Sequence, residues 1–168
     1  MTHLPSSDLP LHILDADGSP TTASLLITDS LNRIYPVQAK RALPDLWFER
    51  QIYRRDGETI RLPAGTYSLQ YGRGPEYLRK KSTITVVANQ PSKPLALNLE
   101  RWVSPKEFGY YPGDSRIHAA GCAHYESPSE GVTPEVMLRQ MQGEALTVGD
   151  VLHLGSVGTG IATRNAAG

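Results

Sequence analysis

The chain carries a single cysteine, Cys122, so no disulfide can close within it, and the lone thiol is silent about compartment. It also lacks any excess of charge, with 17 basic residues against 17 acidic ones and a pI ≈ 7.0. That balance removes the electrostatic case for nucleic acid or an anionic membrane as a partner. Long apolar runs are missing too. Stretches such as Leu25-Leu26-Ile27 fall far short of the roughly 20 residues that a spanning helix needs, so no membrane span is expected. The first residues, Met1 to Asp8, show neither a basic n-region nor an apolar h-region, so no signal peptide is visible and location stays open. Two catalytic frames are absent as well. No Gly-x-Ser-x-Gly nucleophile elbow occurs. The Gly155-x-x-Gly158-x-Gly160 run lacks the following helix pattern that a phosphate loop requires.

What the chain does have is β patterning. Its 168 residues suffice for one full domain and part of another. From Leu9 to Trp102, short apolar-alternating runs recur between turn residues, the pattern of a β-sandwich. Leu9, Leu11 and Ile13 alternate into Asp15-Ala16-Asp17-Gly18-Ser19-Pro20, whose residues favour a tight turn. Ala23 to Thr28 forms a second run. Arg55-Asp56-Gly57-Glu58 carries an Asp-Gly hairpin signal ahead of Thr59 to Leu62. Pro63-Ala64-Gly65 then leads into a strand that places Tyr67, Leu69 and Tyr71 on one face. Ser82 to Val87 and the Leu95/Leu97/Leu99 run supply two more strands. Only Tyr35 to Tyr53 resists alternation, with Pro36 and Pro44 inside it and Trp47, Phe48 and Ile52 available to cap a sheet edge. The aromatics Tyr67, Tyr71, Tyr77, Trp47 and Trp102, with Arg73 and Arg79, have two readings: a stacking platform for carbohydrate or peptide, or a sandwich core.

The Ile60-Arg61-Leu62-Pro63-Ala64-Gly65-Thr66-Tyr67 run resembles the strand-turn-strand of transthyretin-like, carboxypeptidase-regulatory-like domains, and the Asp17-Gly18-Ser19-Pro20 turn agrees with it. The resemblance implies a non-catalytic β-sandwich over residues 8–102, in a scaffold or binding role.

After Trp102 the alternation stops and Gly and Pro cluster, which marks a boundary. Asp114, Arg116 and His118 then alternate, so on an extended strand they project to one face. Thr133-Pro134-Glu135 is a helix start, with a hydroxyl at the N-cap, proline at N1 and an acid in the first turn. The helix runs on through Val136 to Gln142 and ends at Gly143. Leu138, Met141 and Ala145 share a packing side, and Leu146 to Leu154 reads as a buried strand. Strand, helix, strand is the opening of an α/β unit. The small, Gly-rich residues 156–168 read as a mobile tail.

The Gly113 to His118 stretch resembles the Gly-Asp-x-His-x-His strand that opens PHP-like metal-dependent hydrolases of the CehA/McbA type. The residues from Ala119 to Tyr125 and from Pro128 to Glu135 look like bacterial members that join a regulatory-like sandwich to this hydrolase. The resemblance implies that residues 109–155 are the incomplete N-terminal part of such a domain, and that intact relatives use a divalent metal, Zn, Mn or Fe. Relatives of this build are often exported. His118 matches the motif's second histidine and carries over as a metal candidate, with Asp114 beside it. Arg116 stands at the first histidine's place, and a guanidinium has no lone pair to give. A hydrolytic site needs three or more protein ligands and an open position for water. The family's remaining ligands lie downstream of this strand, so the expected site is incomplete and this chain by itself inactive and without metal.

Each of these groups has a plainer alternative. Asp114 serves equally as a turn carboxylate. Arg116 is placed to pair with Asp114 and stand in for a cation. His124, with Tyr125, is a further site candidate against a packing role, and Cys122 a thiolate nucleophile only with a positioned base. Glu130 reads as a loop carboxylate and Glu135 as a helix-dipole partner. The expected architecture is mainly β: a transthyretin-like β-sandwich, a short incomplete α/β segment and a mobile tail. The expected partner is the rest of a hydrolase domain or another protein. The rival is a free-standing, non-catalytic β-sandwich binding or interaction module whose last segment wraps the sandwich edge. The two differ in whether residues 109–155 leave apolar faces exposed or dock closed against the sandwich.

Overall fold

The computed structural model describes residues 5–88, 90, 92–119 and 131–151. His124, Tyr125, Cys122, Glu130 and residues 152–168, on which several expectations fall, lie outside the described residues. The fold is mainly β, with one α-helix among the described residues.

Period-two alternation builds the first strand, β1 (Ser6–Leu14), which buries Leu9, Leu11 and Ile13. Its N-terminal half pairs antiparallel with β5 (Thr59–Pro63) and its C-terminal half pairs parallel with β8 (Leu95–Asn98). The second sheet centres on β2 (Thr22–Thr28), which pairs antiparallel with β6 (Gly65–Gly72), and β6 in turn with β7 (Lys80–Val86). Along its other edge β2 carries β3 (Ile34–Tyr35) and β4 (Ile52–Arg55) in succession. One core joins the sheets: Leu9, Ile13, Ile60, Leu62 and Leu97 from the first pack with Leu25, Ile27, Ile52, Leu69 and Val86 from the second. This is the face-to-face packing of a sandwich, with inward residues alternating against outward polar ones. Tyr67 and Tyr77 belong to that core and Tyr71 packs partly against it, so the sandwich-core reading holds for these three.

Three local expectations change. The Asp56-Gly57 turn does not close a hairpin, because β4 joins the sheet of β2 whereas β5 crosses to β1. Gly57 supplies the positive φ of +79°. Asp56 Oδ1 accepts the Ile13 N–H at 2.6 Å, which ties this corner to β1. Turn chemistry marks the reversal but leaves open which sheet the next strand joins. Trp47 and Phe48 do not cap an edge. They stand 70% and 55% exposed, as an edge-to-face pair with centroids 5.6 Å apart. Their loop is held from beneath by Arg41, whose guanidinium donates to the carbonyls of Pro36, Leu46, Glu49, Arg50 and Gln51. Burial among those carbonyls lowers the Arg41 pKa. Finally, the described part of the strand after the helix, residues 148–151, is less buried than expected at Val148, which is 46% exposed, and residues 152–154 of that expected strand lie outside the described residues.

Candidate functional site

Beyond the sandwich, a 3-10 turn at Pro105–Phe108 leads into β9 (Gly113–Ile117). The helix α1 (Pro134–Gly143) has Thr133 at its N-cap, Pro134 at its head and Glu135 in its first turn, as the sequence implies, but the Thr133 hydroxyl makes no capping hydrogen bond. After it, β10 (Val148–Val151) pairs parallel with β9, with Gly149 opposite Asp114. Parallel strands require a crossover of this kind. The buried positions of α1 are Val136, Met137, Met141 and Gly143, and Leu138 is only half-buried. The stripe differs from Leu138/Met141/Ala145 because the helix has two neighbours. Met137 and Met141 meet Ala119 and Ile117, whereas the C-terminal end of the helix packs on the sandwich.

That docking depends on Gly143 and on polar pairs. A Cβ at Gly143 would lie 2.2 Å from Cδ1 of Tyr53 in β4, so only glycine lets the helix end approach the ring. The Tyr53 hydroxyl donates to Glu144 Oε1 at 2.8 Å. Burial raises the Tyr53 pKa, and the nearby Glu144 charge raises it further. Burial likewise raises the Glu144 pKa, opposed by the Tyr53 hydrogen bond and by Arg79. Arg139 donates to both carboxylate oxygens of Glu58 at 2.7 Å. Arg73 Nε donates to the Gln142 carbonyl at 3.0 Å, placing a cation at the negative end of the helix dipole.

Arg73 also belongs to a charged cluster at the end of the sandwich. Its Nη1 contacts Asp15 Oδ2 at 2.5 Å and the Tyr77 hydroxyl at 3.1 Å. Tyr77 donates to Asp15 at 2.8 Å. Arg101 Nη1 donates to the buried Glu76 at 2.5 Å, and its Nη2 reaches the Tyr77 hydroxyl. Burial raises the Tyr77 pKa, and its bond to Asp15 adds to that. The sequence offered Tyr77 as a stacking or core residue and Arg73 as a stacking partner, not as members of an ion-pair cluster. The signal for the cluster was the turn acid Asp15, whose partners lie far along the chain.

The sequence-derived metal candidates sit on or just after β9. Asp114 and Arg116 are both exposed within the strand, and His118 is exposed immediately after it. Asp114 Oδ1 accepts the Arg116 backbone N–H at 2.9 Å, the bond of a turn-type carboxylate. Among the described residues no ion pair joins the Arg116 guanidinium to Asp114. Among the described residues, too, no three His, Cys, Asp or Glu side chains gather closely enough to hold a metal ion. Asp114 and His118 are a donor set short of the three that a catalytic metal requires, so the described residues do not by themselves fit that group. No described helix is long and apolar enough to cross a membrane. No protein-family model matches the chain, and no curated protein matches it.

Proposed function

We propose that the chain is the N-terminal part of a PHP-like metal-dependent hydrolase, in which a transthyretin-like sandwich over residues 8–102 is an accessory to an incomplete catalytic domain over residues 109–155. The observation that carries this reading is the parallel β9–β10 pair. Parallel strands normally lie inside a larger sheet covered on both faces. Here α1 lies against the pair through Met141, while Asp114, Ser115, Arg116 and Val148 stand exposed. Phe108, Tyr110 and Tyr111, all more than half exposed, lead directly into β9. Such an arrangement suits a sheet that further strands would complete.

In this reading a divalent metal bound in intact relatives would supply Lewis-acid chemistry, and His118 and Asp114 are the residues of this chain that would help to hold it. Arg116 removes one imidazole from the set. The prediction is that the purified chain holds Zn, Mn or Fe well below one ion per molecule, and that Arg116→His, which adds an imidazole two residues from His118, tightens Zn binding. Metal analysis and a zinc competition titration measure both. Stoichiometric metal in the unmodified chain together with hydrolysis of a phosphoester or amide would sink the reading.

A second reading has its own observation. The Tyr53–Glu144 and Arg139–Glu58 contacts dock α1 against the sandwich, as a free-standing binding module with a wrapped edge would require. Amide exchange of β9 and β10 separates the two readings. Slow exchange equal to that of the sandwich favours the module, and rapid exchange of both strands favours the unfinished sheet.

A further inference from the structure

A cleft of ≈ 530 Å³ opens between the sandwich and the C-terminal segment. Its volume falls within the range of small-molecule sites, which occur preferentially where two structural units meet. Three cations, Arg73, Arg101 and Lys106, line it against the single carboxylate of Glu76, with Asp15 beside Arg73. The two guanidiniums are fixed, since both reach the Tyr77 hydroxyl and each holds one acid. Neither is saturated. Arg73 commits Nε and Nη1, and Arg101 commits Nη1 and Nη2, so Nη2 of the first and Nε of the second have no protein acceptor among the described residues. Lys106 makes no ion pair among the described residues and is exposed. Tyr111 and Leu146 add an aromatic and an apolar surface to the same cleft.

We propose that this cleft binds a small organic anion, an apolar body bearing a carboxylate or phosphate. The Nη2 of Arg73 and Nε of Arg101, open among the described residues, each offer a fixed, charged N–H donor to an anionic oxygen, and a lysine adds a mobile point charge. The body of the ligand lies along Tyr111 and Leu146. The site is separate from the proposed metal strand. Pro112 O accepts the Thr147 and Val148 N–H groups, which puts the cleft at the N-terminal ends of β9 and β10, whereas His118 follows the opposite end of β9. The ligand touches the sandwich through Arg73 and Arg101, and the C-terminal segment through Gln142 and Thr147. Binding therefore favours the docked arrangement by mass action.

The test is calorimetric titration of the full chain with benzoate and with phenyl phosphate at fixed ionic strength, with sodium chloride as the control. Saturable binding of at least one probe at roughly millimolar affinity or better is expected. Heat from benzoate alone assigns the site to carboxylates, and heat from phenyl phosphate alone to phosphates. Lys106→Glu is expected to weaken binding about tenfold or more, and Tyr111→Ala to weaken it by a smaller factor. Both positions are exposed, and circular dichroism checks that each variant folds. If Lys106→Glu does not fold, Lys106→Gln and Tyr111→Ala carry the test. No saturable heat from either probe, or affinities unchanged in the folded variants, overturns the proposal.

Discussion

The sandwich and the β9–α1–β10 segment bury apolar surface in opposite ways. In the sandwich, β1, β2 and β6 each turn one face into a shared core, and Ile13, Ala23, Ile27, Leu62 and Leu69 retain none of their exposure. In the segment, a cluster of Ala119, Met137 and Met141 lies between helix and strands, and β9 stays exposed along nearly its whole length. The sandwich is held by its own core. The segment is held by its fit to the sandwich, through Tyr53 on Gly143, Arg139 on Glu58 and Arg73 on the helix end. Two neighbouring regions of one chain therefore differ in balance: a large shared core holds the sandwich, whereas the segment adds polar docking to a small apolar cluster and to the packing of Gly143 and Ala145 on the sandwich.

Leu69→Ala should break the comparison most severely, because it empties a fully buried site shared by both sheets. A loss of about 2–5 kcal/mol is expected, read by chemical denaturation, with the segment unfolding alongside the sandwich. Gly143→Val should separate the two regions. Its side chain has no room beside the Tyr53 ring, and overpacking of this kind costs about 1–3 kcal/mol. Faster amide exchange in α1 with the sandwich strands unchanged would show that the docking is local. Equal loss in both regions would contradict it.

The smallest effect is the most selective. Burial holds the Glu144 pKa above its ordinary value, so the protonated carboxyl is favoured in the docked state. Stability from this group is full below the unfolded carboxyl pKa of about 4.3 and is lost as pH rises through the raised folded value. Protection of α1 should therefore fall over that interval, and Glu144→Gln should flatten the profile. Tyr53→Phe removes the donor to Glu144 and should lower α1 protection further at high pH, where the carboxylate most needs it. A profile in which Glu144→Gln matches the parent would assign the pH response to another group.

Much of the sandwich was legible because alternation is a local property. Leu9/Leu11/Ile13 and Leu95/Leu97/Leu99 announce which face of a strand goes inward, whatever the partner is. The start of α1 at Pro134 was legible for the same reason, since proline at the first helical position acts locally, whereas Gly143 closes the helix beside Tyr53 and the positive φ falls on Ala145. The destination of β5 was not legible. A two-residue turn reverses the chain without choosing between sheets, and the choice lay in how Ile60 and Leu62 pack against β1. In the candidate site, the strand bearing Asp114 and Arg116 was legible, and of the roles open to Asp114 the turn carboxylate is the one its hydrogen bond shows. The donor is the Arg116 backbone N–H two residues away rather than the guanidinium.

Composition and periodicity alone determined that this chain is rich in strands, that a helix follows Thr133, and that Arg116 cannot donate a lone pair to a metal. Tertiary structure alone decided that Tyr53 meets Glu144, that Arg73 and Arg101 converge on Tyr77, and that a cleft opens between the two regions. The reason is range. Alternation and capping act over a few residues, whereas Tyr53 and Glu144 stand 91 positions apart and become neighbours only once the sheets have packed.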